Sequence, residues 1–309
     1  MYRGFDWKAE LPRIAATDWR WVTLAVAGDI AVYFCMGWRW HLLLRPLARP
    51  SLMRTIQAVY IGLFANEVLP LRTGEVIRCY LLSLWSGLKF SVVISSAVVE
   101  RLLDGFWLVL GFYAVSRFVE LPRLLVEGCR ILTIVLILLG ALLAIAVFRK
   151  GHASEAVSRS RWGSRLWGVV EAAHDMGRTW TFAAAALVSL AYLAMQIIPV
   201  YALMRGYGMD LPLWSAAVVL MVLRLGSVPP QAPGNVGSAQ ALTILGLRLC
   251  GVDKPEATGF ATLLFVVVTV PLWLAGFLAL LATRMRLGQI RRDAERELNA
   301  NAPAPAGDT

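Results

Sequence analysis

Long apolar segments recur along the chain, and three of them contain no charged residue: 131–148, 180–204 and 257–283. A helix needs about 20 apolar residues to cross a hydrocarbon layer of ~30 Å. Two further segments are long enough but interrupted, 21–38 by Asp29 and 91–116 by three charges. The pattern predicts an all-α polytopic integral membrane protein with about five full spans.

The first of these segments is not typical of a cleaved signal peptide. It begins late, contains an acidic residue in its middle, and ends in Trp38-Arg39-Trp40-His41 instead of small residues. Aromatic residues beside arginine are typical of the membrane–water interface. We therefore interpret this ending, Arg39 included, as an interfacial anchor.

Two other apolar segments, 55–66 and 212–228, run into proline and glycine before shorter helical patterns resume at about 75–86 and 238–250. At ~1.5 Å per residue each segment reaches about 25 Å at most, which is short of a full crossing. Backbone groups released by proline or glycine are tolerated at membrane depth only inside protein or beside a wet cavity. The sequence therefore predicts two re-entrant or broken-helix hairpins.

The two hairpins resemble each other. The spacing Pro70-x-x-x-Gly74 recurs as Pro233-x-x-x-Gly237, and a glycine follows each returning helix. One additional span, 131–148, lies between the units and would invert the second unit relative to the first. We predict an inverted repeat with units at about 50–118 and 212–283, an arrangement typical of transporters. The alternative is a chance coincidence of glycines and prolines.

Composition excludes a water-soluble enzyme, because 58% of the 309 residues are apolar and only 16% are charged. The net charge of +10 then indicates an anionic membrane surface and not nucleic acid. Lysines and arginines concentrate in 149–178 and after position 283, so we expect both on the cytoplasmic side of a bacterial cytoplasmic (inner) membrane. Charge does not settle the side of the amino terminus.

The resulting domain plan has an interfacial segment at 1–20, one transmembrane domain at 21–283, and a polar, partly disordered tail at 284–309. No polar segment is long enough for a catalytic domain. The four cysteines and three histidines show no metal-ligand spacing. We therefore expect no enzyme activity, no cofactor and no metal.

Eight charged residues fall within the apolar regions, where each is costly. Arg72, Glu75 and Arg78 follow at intervals of three, and Glu100, Arg101 and Asp104 share one helix. The simplest packing pairs the two groups and leaves Arg72 or Arg78 facing an anion, because arginine binds phosphate in a bidentate manner. The alternative is a buried ion network that only fixes helix register. Asp29 and Arg224 are isolated, and each is either a site residue or snorkels to an interface.

The motifs carrying these charges resemble the flippase-like family that includes the transmembrane region of lysylphosphatidylglycerol synthases. The segment from Asn66 to Arg78 is similar to the family pattern N-x-x-x-P-x-R-x-G-E-x-x-R. The segment that ends at Asp104 is similar to V-E-R-x-x-D. Residues 233–237 are similar to P-G-G-x-G, with Asn235 in place of the second glycine. Gln240 stands where the family usually has Glu, which removes an acid or proton role there. The resemblance implies lipid translocation between leaflets, in some members linked to hopanoid or glycolipid pathways, without lipid aminoacylation.

Our first hypothesis is a flippase that holds an anionic or modified lipid headgroup by its phosphate, through Arg72 and Arg78, in a polar cavity at the midplane. Its partners would be membrane lipids, and its oligomeric state is open. The predicted substrate-binding residues are Asn66, Pro70, Arg72, Gly74, Glu75, Arg78, Glu100, Arg101, Asp104, Pro233, Gly234, Asn235, Gly237 and Gln240. The alternatives are an accessory or scaffold protein for a membrane lipid-modifying enzyme, and an ion-coupled transporter of small solutes.

Overall fold

The structure, a computed structural model, describes residues 7–69, 73–148, 180–229 and 233–283, without the side chains of 7–10, 143–148 and 233. Within these ranges the chain is helical and contains no strand, which confirms the all-α prediction. The segments expected on the cytoplasmic side, 149–178 and the tail, lie outside the described residues. So do Pro70 and Arg72.

Long helices account for the predicted spans. After a short helix α1 (Trp7–Ala15) come α2 (Trp19–Leu44), α5 (Phe90–Val115), α6 (Arg123–Phe148), α7 (Trp180–Met195) with α8 (Ile197–Gly206), and α11 (Lys254–Ala282). By length and composition, four of the described helical segments can cross a membrane: Trp19–Leu44, Arg123–Leu142, Trp180–Gly206 and Lys254–Ala282. Helix α5 is also 26 residues long, but Glu100, Arg101 and Asp104 lie near its middle. A fifth span therefore remains a prediction.

The two interrupted segments form helical hairpins with the expected bounds to within about three residues. Helix α3 (Leu52–Val68) packs against α4 (Gly74–Ser86), and α9 (Leu213–Gly226) packs against α10 (Ser238–Leu249). A 3₁₀ turn, Pro233–Asn235, precedes α10. The four arms contain 17, 13, 14 and 12 residues. At ~1.5 Å per residue none of them spans ~30 Å.

Each hairpin is followed by a long helix, and the two units pack reciprocally. The returning arms end beside Gly87 and Gly251, whose φ angles of 69° and 85° are left-handed. Helix α5 then contacts α9 of the second hairpin, while α11 contacts α3 of the first. This exchange is what a two-fold relation between the units would produce, but the inverted repeat itself remains a prediction.

The segment at 180–206 is broken at Gln196 because of Pro199. A proline inside a helix cannot donate to the carbonyl four residues earlier, here that of Met195, and its ring crowds the same group. Helix α7 accordingly ends at Met195 and α8 begins at Ile197. The Gln196 side chain donates to the carbonyl of Tyr192 at 3.0 Å, which leaves its amide oxygen available as an acceptor near the middle of the segment.

Candidate functional site

The tip of the first hairpin is held by Asn66, whose side-chain oxygen accepts a hydrogen bond from the Gly74 backbone N–H at 2.8 Å. This satisfies one of the amide groups left unpaired at the start of α4. A Cβ at Gly74 would overlap the carbonyl of Gly62 and the Asn66 side chain. The Asn and Gly of the first motif therefore build the helix break and hold its two arms together.

The second hairpin tip uses different residues for a similar purpose. The side-chain oxygen of Gln240 accepts a hydrogen bond from the Gly237 N–H at 2.7 Å. Because the amide is uncharged, this contact adds no charge to the protein interior. Gly234 and Asn235 have φ angles of 65° and 51°. Gly234 lies against the backbone carbonyl of Glu67, so the tips of the two hairpins meet.

Six charged side chains from three helices form one cluster, which we call the ion network. Its members are Arg39 on α2, Glu75 and Arg78 on α4, and Glu100, Arg101 and Asp104 on α5. Glu100 is fully buried and lies at the centre, because its Oε1 is 2.8 Å from a guanidinium nitrogen of Arg39, 2.8 Å from that of Arg101 and 3.3 Å from that of Arg78. Three cations and three anions leave the network neutral.

Arg39 is not the interfacial anchor that its neighbours Trp38 and Trp40 indicated. Its side chain is 0% exposed, pairs with Glu100 and Asp104, and lies 4.8 Å from the centre of the Tyr192 ring. The prediction was wrong because the partners are on α5, some sixty positions away, where no local pattern reveals them.

Arg78 lies outside the chamber lining and is not free to bind an anionic ligand. It is held by Glu75 at 2.6 Å and Glu100 at 3.3 Å, and its guanidinium lies 4.6 Å above the Trp40 ring. The predicted pairing left one arginine free and so had two arginines for three carboxylates. Arg39 is the further cation that this pairing lacked. The network is neutral only when Arg78 is counted as well. Its predicted partner in phosphate binding, Arg72, lies outside the described residues.

A chamber of about 290 Å³ lies beside the network, between the two hairpins and the long helices. Its lining residues lie near the midpoints of α2, α5, α7–α8 and α11. Its polar lining residues are Asp29, Tyr33, Asn66, Glu67, Glu75, Arg101, Tyr192, Gln196, Arg224, Ser227, Asn235, Thr243 and Thr269. Two members of the network, Glu75 and Arg101, line the chamber, and Arg101 is the more exposed of the two, with 49% of its side chain accessible.

Arg224 enters the chamber from the last turn of α9. It donates to the side-chain oxygen of Gln196 and to the Tyr192 hydroxyl at 3.4 Å, and lies 5.9 Å from the Tyr192 ring centre. Among the described residues, no carboxylate lies within ion-pairing distance of it. The break at Gln196 positions the acceptor that orients this guanidinium.

Asp29 contributes to the chamber wall from α2. Its side chain is only 6% exposed, and within the described structure its Oδ2 has no hydrogen-bond partner. Sequence reasoning left Asp29 and Arg224 open between a site and an interfacial position. Both lie in the chamber wall.

The predicted site residues thus separate into two groups. Asn66, Glu75, Arg101, Gly234 and Asn235 line the chamber. Away from the lining lie Gly74, Arg78, Glu100, Asp104, Gly237 and Gln240, which build the hairpin tips or the ion network. Pro70 and Arg72 are not described, and Pro233 is described only in its backbone. No described group of His, Cys, Asp or Glu side chains is placed to hold a metal ion.

Apolar helices of membrane-spanning length, interrupted by short hairpins around a polar chamber, define a polytopic integral membrane protein. More particularly, the chain belongs to the family described as the lysylphosphatidylglycerol synthase TM region, which it matches over residues 1–276. It is similar to a UPF0104 membrane protein of Methanocaldococcus jannaschii, with 24% identity over 298 residues, 88% of this chain and 87% of that protein. No solved structure matches the chain.

Proposed function

We propose that this protein is a transporter, not an enzyme, and moves a lipid with an anionic headgroup between the two leaflets. The observation that carries the proposal is Arg224, a cation in the chamber wall that has no ion-pair partner among the described residues. A charge at this depth is costly and marks a substrate pathway more often than a structural contact. Arginine binds phosphate in a bidentate manner, which makes a headgroup phosphate the ligand of matching chemistry.

In this proposal Arg224 and Arg101 bind the phosphate, in place of the Arg72 and Arg78 pair expected from the motif. Arg78 already has two carboxylate partners, and separating it from them would leave charges unpaired in the protein interior. Arg101 is half exposed at the chamber and can contact a ligand while it keeps Glu100 as a partner. Arg72 remains a candidate on the motif alone.

The size of the chamber supports a headgroup pathway and not the enclosure of a whole lipid. A volume of about 290 Å³ suits a small polar group. Acyl chains gain nothing from entering a polar chamber, since they are already solvated by the bilayer. We therefore propose that the headgroup passes between the hairpin tips while the acyl chains remain in lipid.

Leaflet transfer of fluorescent phosphatidylglycerol in proteoliposomes, read by dithionite quenching, tests the proposal. Wild-type protein should accelerate transfer over protein-free vesicles. Arg224→Gln should slow it ~10- to 100-fold, because a charge-assisted hydrogen bond contributes ~1.5–3 kcal/mol. Arg101→Gln should slow transfer less, because Glu100, Glu75 and Asp104 already share its charge. Arg205→Gln is the matched control, since Arg205 pairs with the exposed Asp210 away from the chamber.

Equal transfer by wild type and Arg224→Gln would contradict the assigned role of Arg224. Wild-type transfer no faster than that of empty vesicles would favour the accessory or scaffold function, in which the ion network only fixes helix packing.

We further propose that residues 149–178 and the carboxyl-terminal tail face the cytoplasm, on the basis of their positive charge. Single cysteines introduced into these segments of a cysteine-free variant should resist a membrane-impermeant maleimide in intact cells and react after lysis.

A further inference from the structure

Asp29 is an acidic residue buried near the middle of α2, with no ion-pair partner among the described residues. It lies in the central part of α2 (Trp19–Leu44), with 6% of its surface exposed, and contributes to the chamber wall. In the described structure its Oδ2 accepts no hydrogen bond, and no cation lies within ion-pairing distance. An ionised carboxylate in such surroundings is strongly disfavoured unless a positive charge acts on it.

The groups that face Asp29 provide one such charge. Tyr33 lies one turn further along α2, and the hydroxyl of Tyr60 donates to the neighbouring carbonyl of Ile30 at 3.1 Å. The titratable and charged groups that line the chamber from the other helices are Glu67 on α3, Glu75 on α4, Arg101 on α5, Tyr192 on α7 and Arg224 on α9. Helices α8, α10 and α11 contribute none to the described lining. Of the two cations, Arg101 is paired with Glu100, whereas Arg224 has no carboxylate within ion-pairing distance among the described residues, so Arg224 is the chamber cation whose charge is available to Asp29.

Building on the proposed function, we propose that Asp29 is a proton-binding site whose occupancy is linked to that of the headgroup site at Arg224. In the empty chamber the field of Arg224 favours the carboxylate. A bound phosphate neutralises that field and adds a negative charge to the same chamber, so the carboxylate of Asp29 takes up a proton from water and becomes a neutral carboxylic acid. When the phosphate leaves, the proton returns to water.

The linkage has a direct consequence for transport. A singly negative headgroup and one proton together carry no net charge, so their joint passage does no work against the membrane potential. The energy source can then be a proton gradient, which needs no nucleotide-binding domain. The neutral acid also removes the repulsion between Asp29 and the phosphate, which share one chamber.

Isothermal titration calorimetry of the full-length protein in detergent, with dihexanoyl phosphatidylglycerol as the probe, measures the linkage. Titrations near neutral pH in two buffers of different ionisation enthalpy give the number of protons taken up. Wild type should take up a net fraction of a proton, up to about one per lipid bound. Asp29→Asn should bind the lipid with almost no uptake, and Asp210→Asn, which alters an acid whose side chain is 94% exposed, should behave as wild type.

Infrared difference spectra provide a second measurement on the same samples. A carbonyl stretch of a protonated carboxyl group should appear when lipid binds to wild type and be absent in Asp29→Asn. Binding by wild type without proton uptake, or equal uptake by Asp29→Asn, would overturn the linkage and leave the headgroup site standing. Failure of wild type to bind the lipid would overturn the proposed function and the linkage together.

Discussion

Replacing Glu100 by glutamine tests whether the ion network is a single balanced unit. The substitution keeps the side-chain shape and removes the negative charge that three arginines share, at 2.8 Å, 2.8 Å and 3.3 Å. The network then carries one excess positive charge, and the new amide N–H₂ group faces guanidinium donors. Removing one partner of a buried ion pair costs about 3–5 kcal/mol. We expect Glu100→Gln to lower the free energy of unfolding by that amount.

Reversible unfolding in mixed micelles of a mild detergent and sodium dodecyl sulfate, followed by tryptophan fluorescence, measures this loss. Glu127→Gln is the matched control, because Glu127 and its partner Arg130 are mostly exposed and 4.0 Å apart. A surface pair of this kind contributes at most about 1 kcal/mol.

A double variant shows whether charge balance is the cause. Adding Arg78→Met to Glu100→Gln returns the network to neutrality, so the combined loss should fall short of the sum of the single losses by about 0.5–3 kcal/mol. If Glu100→Gln unfolds like Glu127→Gln, or if the two substitutions are additive, the network does not act as a balanced unit.

Three further predictions concern the hairpin tip and the geometry of the network. Gly74→Ala should destabilise the protein in the same assay by about 1–3 kcal/mol, because the added methyl group would overlap the backbone of α3. The control Gly140→Ala, with open space around it, should change stability by less than about 1 kcal/mol. Equal effects of the two substitutions would contradict the close approach of α3 and α4. Asn66→Ala should lower the free energy of unfolding by ~0.5–2 kcal/mol, because the hydrogen bond from the Gly74 amide is lost. Asn66→Asp keeps an acceptor oxygen and should restore most of this stability. If aspartate does not restore it, Asn66 has a role other than accepting this hydrogen bond. Arg39→Lys should lower the free energy of unfolding by ~1–3 kcal/mol, because one ammonium group cannot replace a guanidinium group that contacts two carboxylates. The control Arg117→Lys, at an exposed position, should have almost no effect on stability.

The architecture was predictable because its signals are local. An apolar segment of membrane-spanning length and a proline–glycine interruption are both visible within some twenty positions. The arms of the two hairpins accordingly lie where the sequence placed them. The break at Gln196 has a local signal as well, Pro199 within an uncharged segment, and sequence reasoning overlooked it.

The chemistry of the site was less predictable, because the partners come from distant helices. Arg39 lies among tryptophans, as interfacial arginines do, and only the packing of α2 against α5 shows that Glu100 is its partner. Spacing identified five of the six charges of the network, but it missed Arg39 and did not show which arginine remains accessible. The packing of α4 against α5 decides this, and it leaves Arg101 at the chamber while Arg78 is outside the chamber lining.

The packing of the two units also bears on how the protein is made. All six members of the ion network lie between positions 39 and 104, so their charges can pair as soon as α5 has been synthesised and inserted. The surface of α5 that contacts α9, and the surface of α3 that contacts α11, have no protein neighbour until the second unit emerges from the ribosome. The early half of the nascent chain can therefore neutralise the ion network by itself, but the chamber closes only after the late half has been inserted.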